Sequence, residues 1–223
     1  DLYVVNIFSN TPVRNALYRN NGNGTFTDVT EATDTGDIGD GRTCAWVDFD
    51  GDGRIDIFTT NHVNPSRLFR NLGNGKFADV ASQVGLATPI DVFGAAWGDY
   101  NNDGFMDVFL NGHIGVGLME NSGTQNNFII INLAGDGVTT NISAIGARVE
   151  VTTSKGTQIR EVSGGRGCCE QDMLPVHFGL GNEGVADILV SWTGGDECSF
   201  EGVNVQGGRL FQISENGCNI SEF

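Results

Sequence analysis

Basic residues are scarce in this chain. Its 223 residues include 12 Lys and Arg against 28 Asp and Glu, which gives a formal net charge of −16 at pH 7. Nucleic acids and anionic membranes would be repelled by such a chain unless a cation bridged the two surfaces. We therefore expect neither as a partner, and we expect part of the acidity to serve cation sites.

Long apolar stretches are missing as well. No run of about 18 apolar residues occurs, so no membrane span is predicted. The chain opens on Asp1 without a basic or apolar leader, so no retained signal peptide is expected. The cysteines include no Cys-x-x-Cys pair, which excludes the common zinc, redox and c-type haem signatures. They are Cys44, Cys168, Cys169, Cys198 and Cys218.

Helical periodicity is weak. The sequence has 33 glycines and only 18% charged residues, and apolar residues seldom recur at the spacing of a helix face. This composition favours short strands and many turns. With 39% hydrophobic residues, the chain has enough apolar surface for one large or two ordinary domains. We predict an all-β protein.

Two acidic loops are the most informative feature that is present. Segments 48–56 (DFDGDGRID) and 99–107 (DYNNDGFMD) place oxygen-bearing side chains at loop positions 1, 3, 5 and 9, with glycine at position 6. Ca²⁺ takes about six to eight oxygen ligands, and the glycine allows a sharp turn through positive φ. The predicted ligands are the side chains of Asp48, Asp50, Asp52, Asp56, Asp99, Asn101, Asp103 and Asp107 and the main-chain carbonyls of Arg54 and Phe105.

A helix-loop-helix calcium hand is excluded. Such a hand requires a bidentate Glu at position 12, which is Thr59 in the first loop and Leu110 in the second. The flanking segments 44–47 and 55–60 are short, β-branched and aromatic, as strands are. We therefore predict two Ca²⁺ sites in loops between strands. The second should bind more weakly, because Asn101 replaces a carboxylate.

The loops belong to a repeat of 51 residues. A shift by this amount places segment 17–29 on segment 68–80, and each copy carries an Asn-Gly pair at a hairpin turn. We predict that Asn23-Gly24 and Asn74-Gly75 both supply the positive φ angles of a tight turn. A period near 50 residues, built of short strands, is typical of a propeller blade.

The repeat fails at both ends. Residues 1–6 resemble 56–61, so the chain begins at position 9 of a loop, and we expect a truncation or processing point there. The Gly-Asn-Gly hairpin is lost after residue 121. We divide the chain into blade-like repeats at 1–125 and a second β-domain at 126–223.

The loops and hairpins of residues 1–121 resemble FG-GAP repeats, also called VCBS repeats, of integrin-type propellers. The remainder resembles the ASPIC/UnbV family, a β-rich module that commonly follows such repeats. This likeness is carried by 144–149 (AIGARV), 158–167 (QIREVSGGRG), 177–181 (HFGLG) and 187–192 (DILVSW). The resemblance implies a partial propeller followed by a β-sandwich-like domain. Two departures are Cys168-Cys169, where an aromatic-containing turn is usual, and Thr193, where a proline often stands.

Several residues allow two interpretations. Trp46 and Trp97 occupy the same blade position, and we predict core packing rather than sugar stacking. His62 and His113 each follow a loop by six residues, and we predict shared packing rather than metal ligation. His177 has no Ser or Cys partner at a known motif spacing and is predicted to be structural.

Disulfides are predicted in the second domain. Adjacent cysteines seldom bridge each other, so Cys168 and Cys169 should each pair with Cys198 or Cys218, while Cys44 remains a buried thiol. Disulfides and calcium loops both suit an extracellular or cell-surface location, where calcium is plentiful.

These features predict a secreted structural or adhesive protein that binds Ca²⁺ and is not an enzyme. A closed propeller needs at least about four blades, so a blade edge stays open and favours self-association into a homo-oligomer, polymer or filament. Two alternatives remain: a calcium-dependent carbohydrate-binding module, with a glycan or surface protein as partner, and a fragment of a longer propeller adhesin.

Overall fold

The computed structural model describes residues 1–7, 13–62, 64–87, 91–113, 115–166 and 170–222. Within these ranges the chain forms five β-sheets and one short helix. The predicted all-β class, with partial propeller blades followed by a β-sandwich-like domain, is confirmed. No helix in the described part is long and apolar enough to cross a membrane.

The first three sheets are consecutive blades. Blade 1 holds β1 (Leu2–Val4), β2 (Ala16–Asn20) and β3 (Phe26–Asp28), and α1 (Thr30–Thr33) follows it. Blade 2 holds β4 (Gly41–Val47), β5 (Asp56–Asn61), β6 (Arg67–Gly73) and β7 (Lys76–Asp79). Blade 3 holds β8 (Val92–Gly98), β9 (Asp107–Gly112) and β10 (Gly115–Met119). All neighbouring strands in these blades are antiparallel.

The last two sheets form the sandwich. One has the strand order β14-β11-β17-β18 and the other β13-β12-β15-β16. A single apolar core of side chains from both sheets lies between them. The bounds are β11 (Asn127–Ala134), β12 (Arg148–Thr153), β13 (Gly156–Glu161), β14 (Val176–Gly181), β15 (Val185–Ser191), β16 (Glu197–Asn204), β17 (Arg209–Ser214) and β18 (Asn219–Glu222).

The two Asn-Gly hairpins differ. Asn74 and Gly75 both adopt positive φ, 53° and 68°, as predicted for a tight hairpin turn. In the first copy Gly24 does so but Asn23 does not, so the prediction for Asn23 was wrong. The reason is local: the amide and hydroxyl of Thr25 donate to Oδ1 of Asn23 at 3.1 and 2.6 Å, which holds an Asx turn instead.

The two blade tryptophans also differ. Trp97 is buried, as predicted, and its ring meets Phe58 of the preceding blade edge-on at 5.4 Å. Trp46 is 41% exposed, so the prediction that it lies in the core was wrong. The equivalent of Phe58 in blade 1 is Tyr3, which is buried and whose ring packs against Phe69 with centroids 6.3 Å apart. The hydroxyl of Tyr3 donates to the carbonyl of Thr35 at 2.8 Å, so this ring is held against Phe69 while Trp46 stays exposed.

The disulfide pairing corrects another prediction. Cys198 on β16 bonds to Cys218 in the turn between β17 and β18, so neither is left for Cys168 or Cys169. The sandwich brings that turn beside β16, with a Cα separation of 5.5 Å. Cys168 and Cys169 lie outside the described residues. Cys44 is a free thiol, as predicted, but is only partly buried.

Candidate metal centre

The two acidic loops join strands at the same place in successive blades. Residues 48–56 connect β4 to β5 and residues 99–107 connect β8 to β9. We name them calcium loop 1 and calcium loop 2 after the ion that the sequence predicts for them. Gly53 and Gly104 adopt φ of 91° and 87°, as predicted for position 6. Gly51 and Asn102, at position 4, are also left-handed, at 68° and 60°. Two left-handed residues in each loop curl the backbone around its own side chains.

The carboxylate at position 1 organises each loop. Oδ1 of Asp48 accepts from the amide of Asp52 at 3.1 Å, and Oδ2 accepts from the amide of Gly53 at 2.9 Å. Loop 2 repeats both contacts, from the amides of Asp103 and Gly104 to Asp99, at 3.0 and 2.9 Å. The spacing in the sequence therefore produces the same local geometry twice.

The carboxylate at position 9 anchors each loop to the strands behind it. Oδ2 of Asp56 accepts from the amide of Phe49 at 3.2 Å, and Oδ1 accepts from the amide of Asn71 at 2.7 Å. The side chain of Asn71 donates in turn to the carbonyl of Ile55 at 3.0 Å. In loop 2 the corresponding amides are those of Tyr100 and Asn121, which lie 3.2 and 2.7 Å from Asp107.

Sequence reasoning missed this role for the two asparagines. The signal was available, because Asn71 and Asn121 each close a Leu-x-x-Asn segment that follows its loop. Asn121 also reaches across to loop 1, where its side-chain amide donates to the carbonyl of Phe49 at 2.7 Å. The two loops are therefore connected to each other.

Three carboxylates of loop 1 converge. Ligand oxygens of Asp48, Asp50 and Asp56 lie within 4.8 Å of one another. Burial, reinforced by the neighbouring carboxylates, raises the pKa of Asp48 to about 7 and that of Asp56 to about 8. Burial also raises the pKa of Asp50. Buried carboxylates that repel one another are stabilised by a cation between them.

Asp52 is placed differently from the other three. Its Oδ2 pairs with the guanidinium of Arg54 and lies 3.6 Å from Arg70. Arg70 also pairs with Oδ2 of Asp50 at 2.6 Å. Asp52 therefore lies at the rim of loop 1, with two cationic neighbours, rather than within the converging set.

Loop 2 is the more open of the two. Asp107 is buried, Asp99 is partly buried, and both have a raised pKa because of burial. Asn101 and Asp103 are exposed, and the side-chain amide of Asn101 donates to Oδ2 of Asp103 at 2.9 Å. One carboxylate fewer and more exposure both favour weaker cation binding than in loop 1.

The donor chemistry of both loops fits Ca²⁺. Every donor in the predicted sets is an oxygen, the ligand type that Ca²⁺ prefers. Bound there, Ca²⁺ would cross-link the loop and neutralise its carboxylates. Asp48, Asp50 and Asp56 would hold it in loop 1, and Asp99 and Asp107 in loop 2. The carbonyl ligands at Arg54 and Phe105 remain predictions.

The sandwich covers calcium loop 1. The amide of Gly181 donates to the carbonyl of Gly51 at 3.1 Å, and the side chains of Thr124 and Asn126 donate to the carbonyl of Asp50 at 3.1 and 2.9 Å. A Cβ on Gly179 would collide with the carboxylate of Asp48 and with the backbone of the loop. Only a glycine at 179 allows this close approach.

The same strand of the sandwich also reaches calcium loop 2. The ring of His177 is buried, and burial lowers its pKa to about 4, so it is neutral and its Nε2–H donates to the carbonyl of Gly104 at 3.0 Å. Its structural role is as predicted. A Cβ on Gly104 would collide with the ring of Phe128 on β11. Segment 177–181 therefore contacts both loops.

A second group ties the sandwich domain to the blade strands. Arg166 donates to the carbonyl of Ala95 at 2.9 Å and to the carbonyl of Cys44, so it touches blades 3 and 2. Asp172 holds this guanidinium at 2.6 Å and accepts from the amide of Trp97 at 2.8 Å. The sequence analysis did not predict these contacts. Arg166 belongs to segment 158–167, which resembles the ASPIC/UnbV family, and Asp172 belongs to none of the motifs.

Three blades followed by a β-sandwich define a partial propeller joined to a second β-domain, and comparison with known families agrees. Residues 1–59 and 48–110 match the FG-GAP-like repeat, and residues 137–219 match the family described as ASPIC and UnbV. The chain belongs with proteins that join FG-GAP-like repeats to an ASPIC and UnbV domain, as its motifs predicted.

Curated relatives match this chain over part of their length. Cartilage acidic protein 1 of Xenopus tropicalis is 26% identical and matches 91% of this chain and 45% of its own length. The Homo sapiens protein is 25% identical and matches 90% of this chain and 40% of its own length. The chain thus spans less than half the length of these relatives.

Solved structures give only a weak likeness. A candidate cell adhesion protein from Bacteroides uniformis superposes with a TM-score of 0.31 at 11% identity, covering 96% of this chain and 98% of that one. A second from Bacteroides ovatus gives 0.26 at 10% identity, covering 94% and 77%. At these TM-scores the likeness carries no argument.

Proposed function

We propose that this protein is a calcium-dependent structural or adhesive module of the cell surface or extracellular space, with no catalytic role. The observation that carries the proposal is the position of the two calcium loops. They form the surface on which the blades and the sandwich meet, so a cation that orders the loops also orders the contact between domains.

The energetic argument begins with loop 1. Without a cation, Asp48, Asp50 and Asp56 must be buried either charged and mutually repelling or protonated, and both states cost stability. Ca²⁺ removes that cost and releases any bound protons, so its binding free energy adds to folding. Because Gly179 and Gly181 rest on the same loop, part of that free energy is transmitted to the domain contact.

The location follows from two observations. The Cys198–Cys218 disulfide suits an oxidising compartment, such as the outside of a cell. Extracellular calcium modules typically bind with dissociation constants of about 10⁻⁴ to 10⁻³ M, which is suited to the calcium level there. Both features support a secreted or surface-exposed protein.

The decisive experiment is a calcium titration of the chelator-treated chain by calorimetry, followed by thermal melts. We expect two Ca²⁺ per chain and a higher melting temperature. A ligand at about a hundredfold excess over its Kd stabilises the folded state by about 2.7 kcal/mol. Asp48→Asn and Asp99→Asn should each remove one site, whereas Asp34→Asn, an exposed carboxylate away from both loops, should remove none.

The domain contact needs its own readout. Small-angle scattering should show a larger radius of gyration after chelation, because the contact at loops 1 and 2 loosens. A chain that binds no Ca²⁺, or that keeps its melting temperature and its size after chelation, would show that the loops are ordinary turns.

Self-association through the edge of blade 3 is a more specific part of this proposal. Strand β10 lies at the edge of blade 3, and Leu118 pairs there in register with Phe109 of β9. Leu118, Phe109 and Val116 are exposed, on the face where a propeller would place its next blade. We propose that a blade of a second copy covers this face.

Light scattering tests this assembly. Leu118→Glu should shift the mass toward the monomer, whereas Val185→Glu, an equally exposed apolar position on the sandwich, should not. A native chain that is monomeric at high concentration would rule the assembly out and favour the alternative that these blades belong to a longer propeller adhesin.

Carbohydrate binding is a second candidate, favoured by one observation. Trp46 and Tyr100 are both exposed aromatic residues beside or within a calcium loop, and such rings stack on sugars. The hydroxyl of Tyr100 donates to Glu120 at 2.8 Å, which fixes the ring. Glycan-array binding that requires Ca²⁺ and is lost in Trp46→Ala would support this function, and its absence would exclude it.

A further inference from the structure

Blades 2 and 3 each carry an Asp–His pair at the opposite end of the strand from the calcium loop. In blade 2, Nδ1 of His62 lies 3.0 Å from Oδ2 of Asp40, and the amide of His62 donates to the carbonyl of Asp40 at 2.8 Å. In blade 3, His113 and Asp91 make the same two contacts at 2.7 and 3.1 Å. The 51-residue repeat thus generates one such pair in each of these two blades.

Blade stacking joins the two pairs. Nε2 of His62 lies 3.1 Å from Oδ2 of Asp91, so the Asp91 carboxylate faces an imidazole from each blade. One ligand atom from each of His62, Asp91 and His113 lies within 4.8 Å of the other two. The ring of Phe93 packs against both imidazoles, with centroids 5.8 and 4.5 Å away.

Two further features fit a metal ion at this place. Asp40 accepts a hydrogen bond from Nδ1 of His62, so a metal ion placed between His62 and Asp91 would bind Nε2, the carboxylate–histidine arrangement that supports metal-bound imidazoles. Within the part of the chain that the structure describes, the buried Oδ1 of Asp91 has no hydrogen-bond partner, which leaves that oxygen available for another contact.

We propose that His62, Asp91 and His113 bind a divalent first-row transition metal, with Zn²⁺ as the reference ion and Asp40 as a positioning residue. Two imidazole nitrogens and one carboxylate oxygen suit Zn²⁺ and its neighbours, whereas Ca²⁺ prefers oxygen alone. The site is therefore chemically distinct from the calcium loops.

The distances from Asp91 to the two imidazoles require only a small adjustment. Zn²⁺ binds nitrogen and oxygen at about 2.0 to 2.2 Å, so neighbouring ligand atoms in a tetrahedral site lie about 3.3 Å apart. The observed separations of 3.1 and 2.7 Å from Asp91 need to open by a few tenths of an ångström. The side chain of His113 is 72% exposed, which provides both this freedom and a path for the ion. Water would complete the coordination.

Calorimetric titration of the intact chain with Zn²⁺, in millimolar Ca²⁺ so that the acidic loops are already supplied, tests the site. We expect one Zn²⁺ per chain. His113→Gln and Asp91→Asn should weaken binding by at least about 100-fold, and Asp40→Asn by about 10- to 100-fold, as for other partners of metal-bound histidines. Asp34→Asn is the matched control and should bind as the native chain does.

A purely structural role for the Asp–His pairs predicts different results. In that case the native chain takes up no Zn²⁺, or His113→Gln binds it as well as the native chain, and either result overturns the proposal. Because His113 is exposed, its variant should fold, and a melt without metal verifies this. Co²⁺ substitution gives an independent readout, since its visible absorption should report nitrogen ligation in the native chain and lose it in His113→Gln.

Discussion

The contact between Gly179 and calcium loop 1 can be tested by adding a single methyl group. Gly179→Ala places a Cβ against the carboxylate of Asp48 and the backbone of Gly51. The φ of Gly179 is not in the left-handed region, so alanine adopts this backbone without strain and the effect comes from the contact alone. Neither neighbour moves easily. The carbonyl of Gly51 accepts from the amide of Gly181 at 3.1 Å, and the carboxylate of Asp48 accepts from two amides of its own loop.

The expected cost follows from overpacking in a tight contact, about 1 to 3 kcal/mol. For a chain of this size, 1 kcal/mol lowers the melting temperature by about 2 to 4 °C, so the variant should melt at least about 2 °C below the native chain in saturating Ca²⁺. Because the methyl group displaces Asp48, the calcium affinity of loop 1 should fall as well, while that of loop 2 stays unchanged.

The matched control is Gly117→Ala on strand β10. A Cβ there meets nothing within 4 Å, and its φ is likewise outside the left-handed region. Differential scanning calorimetry and calcium titration of both variants are the assays. If Gly179→Ala has the same melting temperature as Gly117→Ala and keeps two calcium sites, the close contact between strand β14 and loop 1 does not affect stability or calcium binding, and the reasoning is refuted.

Three further predictions concern charge and covalent structure. Burial raises the pKa of Asp56 to about 8, above its unfolded value. The calcium-free protein should therefore lose stability as pH rises from about 4 through 8. Urea melts measure this loss, and saturating Ca²⁺ should abolish it. Asp50→Asn should give loop 1 the ligand set of loop 2 and weaken its calcium affinity, whereas Asn101→Asp should strengthen that of loop 2. Calorimetry that shows no change in either variant would mean that the number of carboxylates does not set calcium affinity. Replacing Cys198 and Cys218 together by alanine opens a loop with a sequence separation of 20 and should cost about 3 kcal/mol in chemical denaturation, and an unchanged midpoint would show that the bridge adds nothing.

The backbone geometry of the two acidic loops was predictable because it is local, whereas their binding of Ca²⁺ stays a prediction. Ligand spacing, the turn at Gly53 and Gly104 and the tight hairpin at Asn74 depend on residues only a few positions apart. The repeat strengthened the prediction, because two copies in register indicated that both acidic loops connect strands. The all-β class followed from the same short-range patterns.

Tertiary structure alone decided what lies beside each of these elements. Trp46 and Trp97 have equivalent sequence positions, yet Trp97 is buried against Phe58 of the preceding blade whereas Trp46 is exposed. The pairing of Cys198 with Cys218 depends on where the sandwich brings the turn after β17. No spacing along the chain encodes either outcome.

The candidate calcium loops and the proposed His62–Asp91–His113 site also combine features set by local sequence with features set by tertiary structure. The sequence by itself determined which oxygen-bearing side chains lie within each loop, but the placement of Gly179 on Asp48 arises from strands more than 100 residues apart. The meeting of His62 with Asp91 likewise depends on how one blade packs on the next. Local spacing specifies a turn and its ligands, whereas contacts between repeats and between domains exist only once apolar faces have packed together.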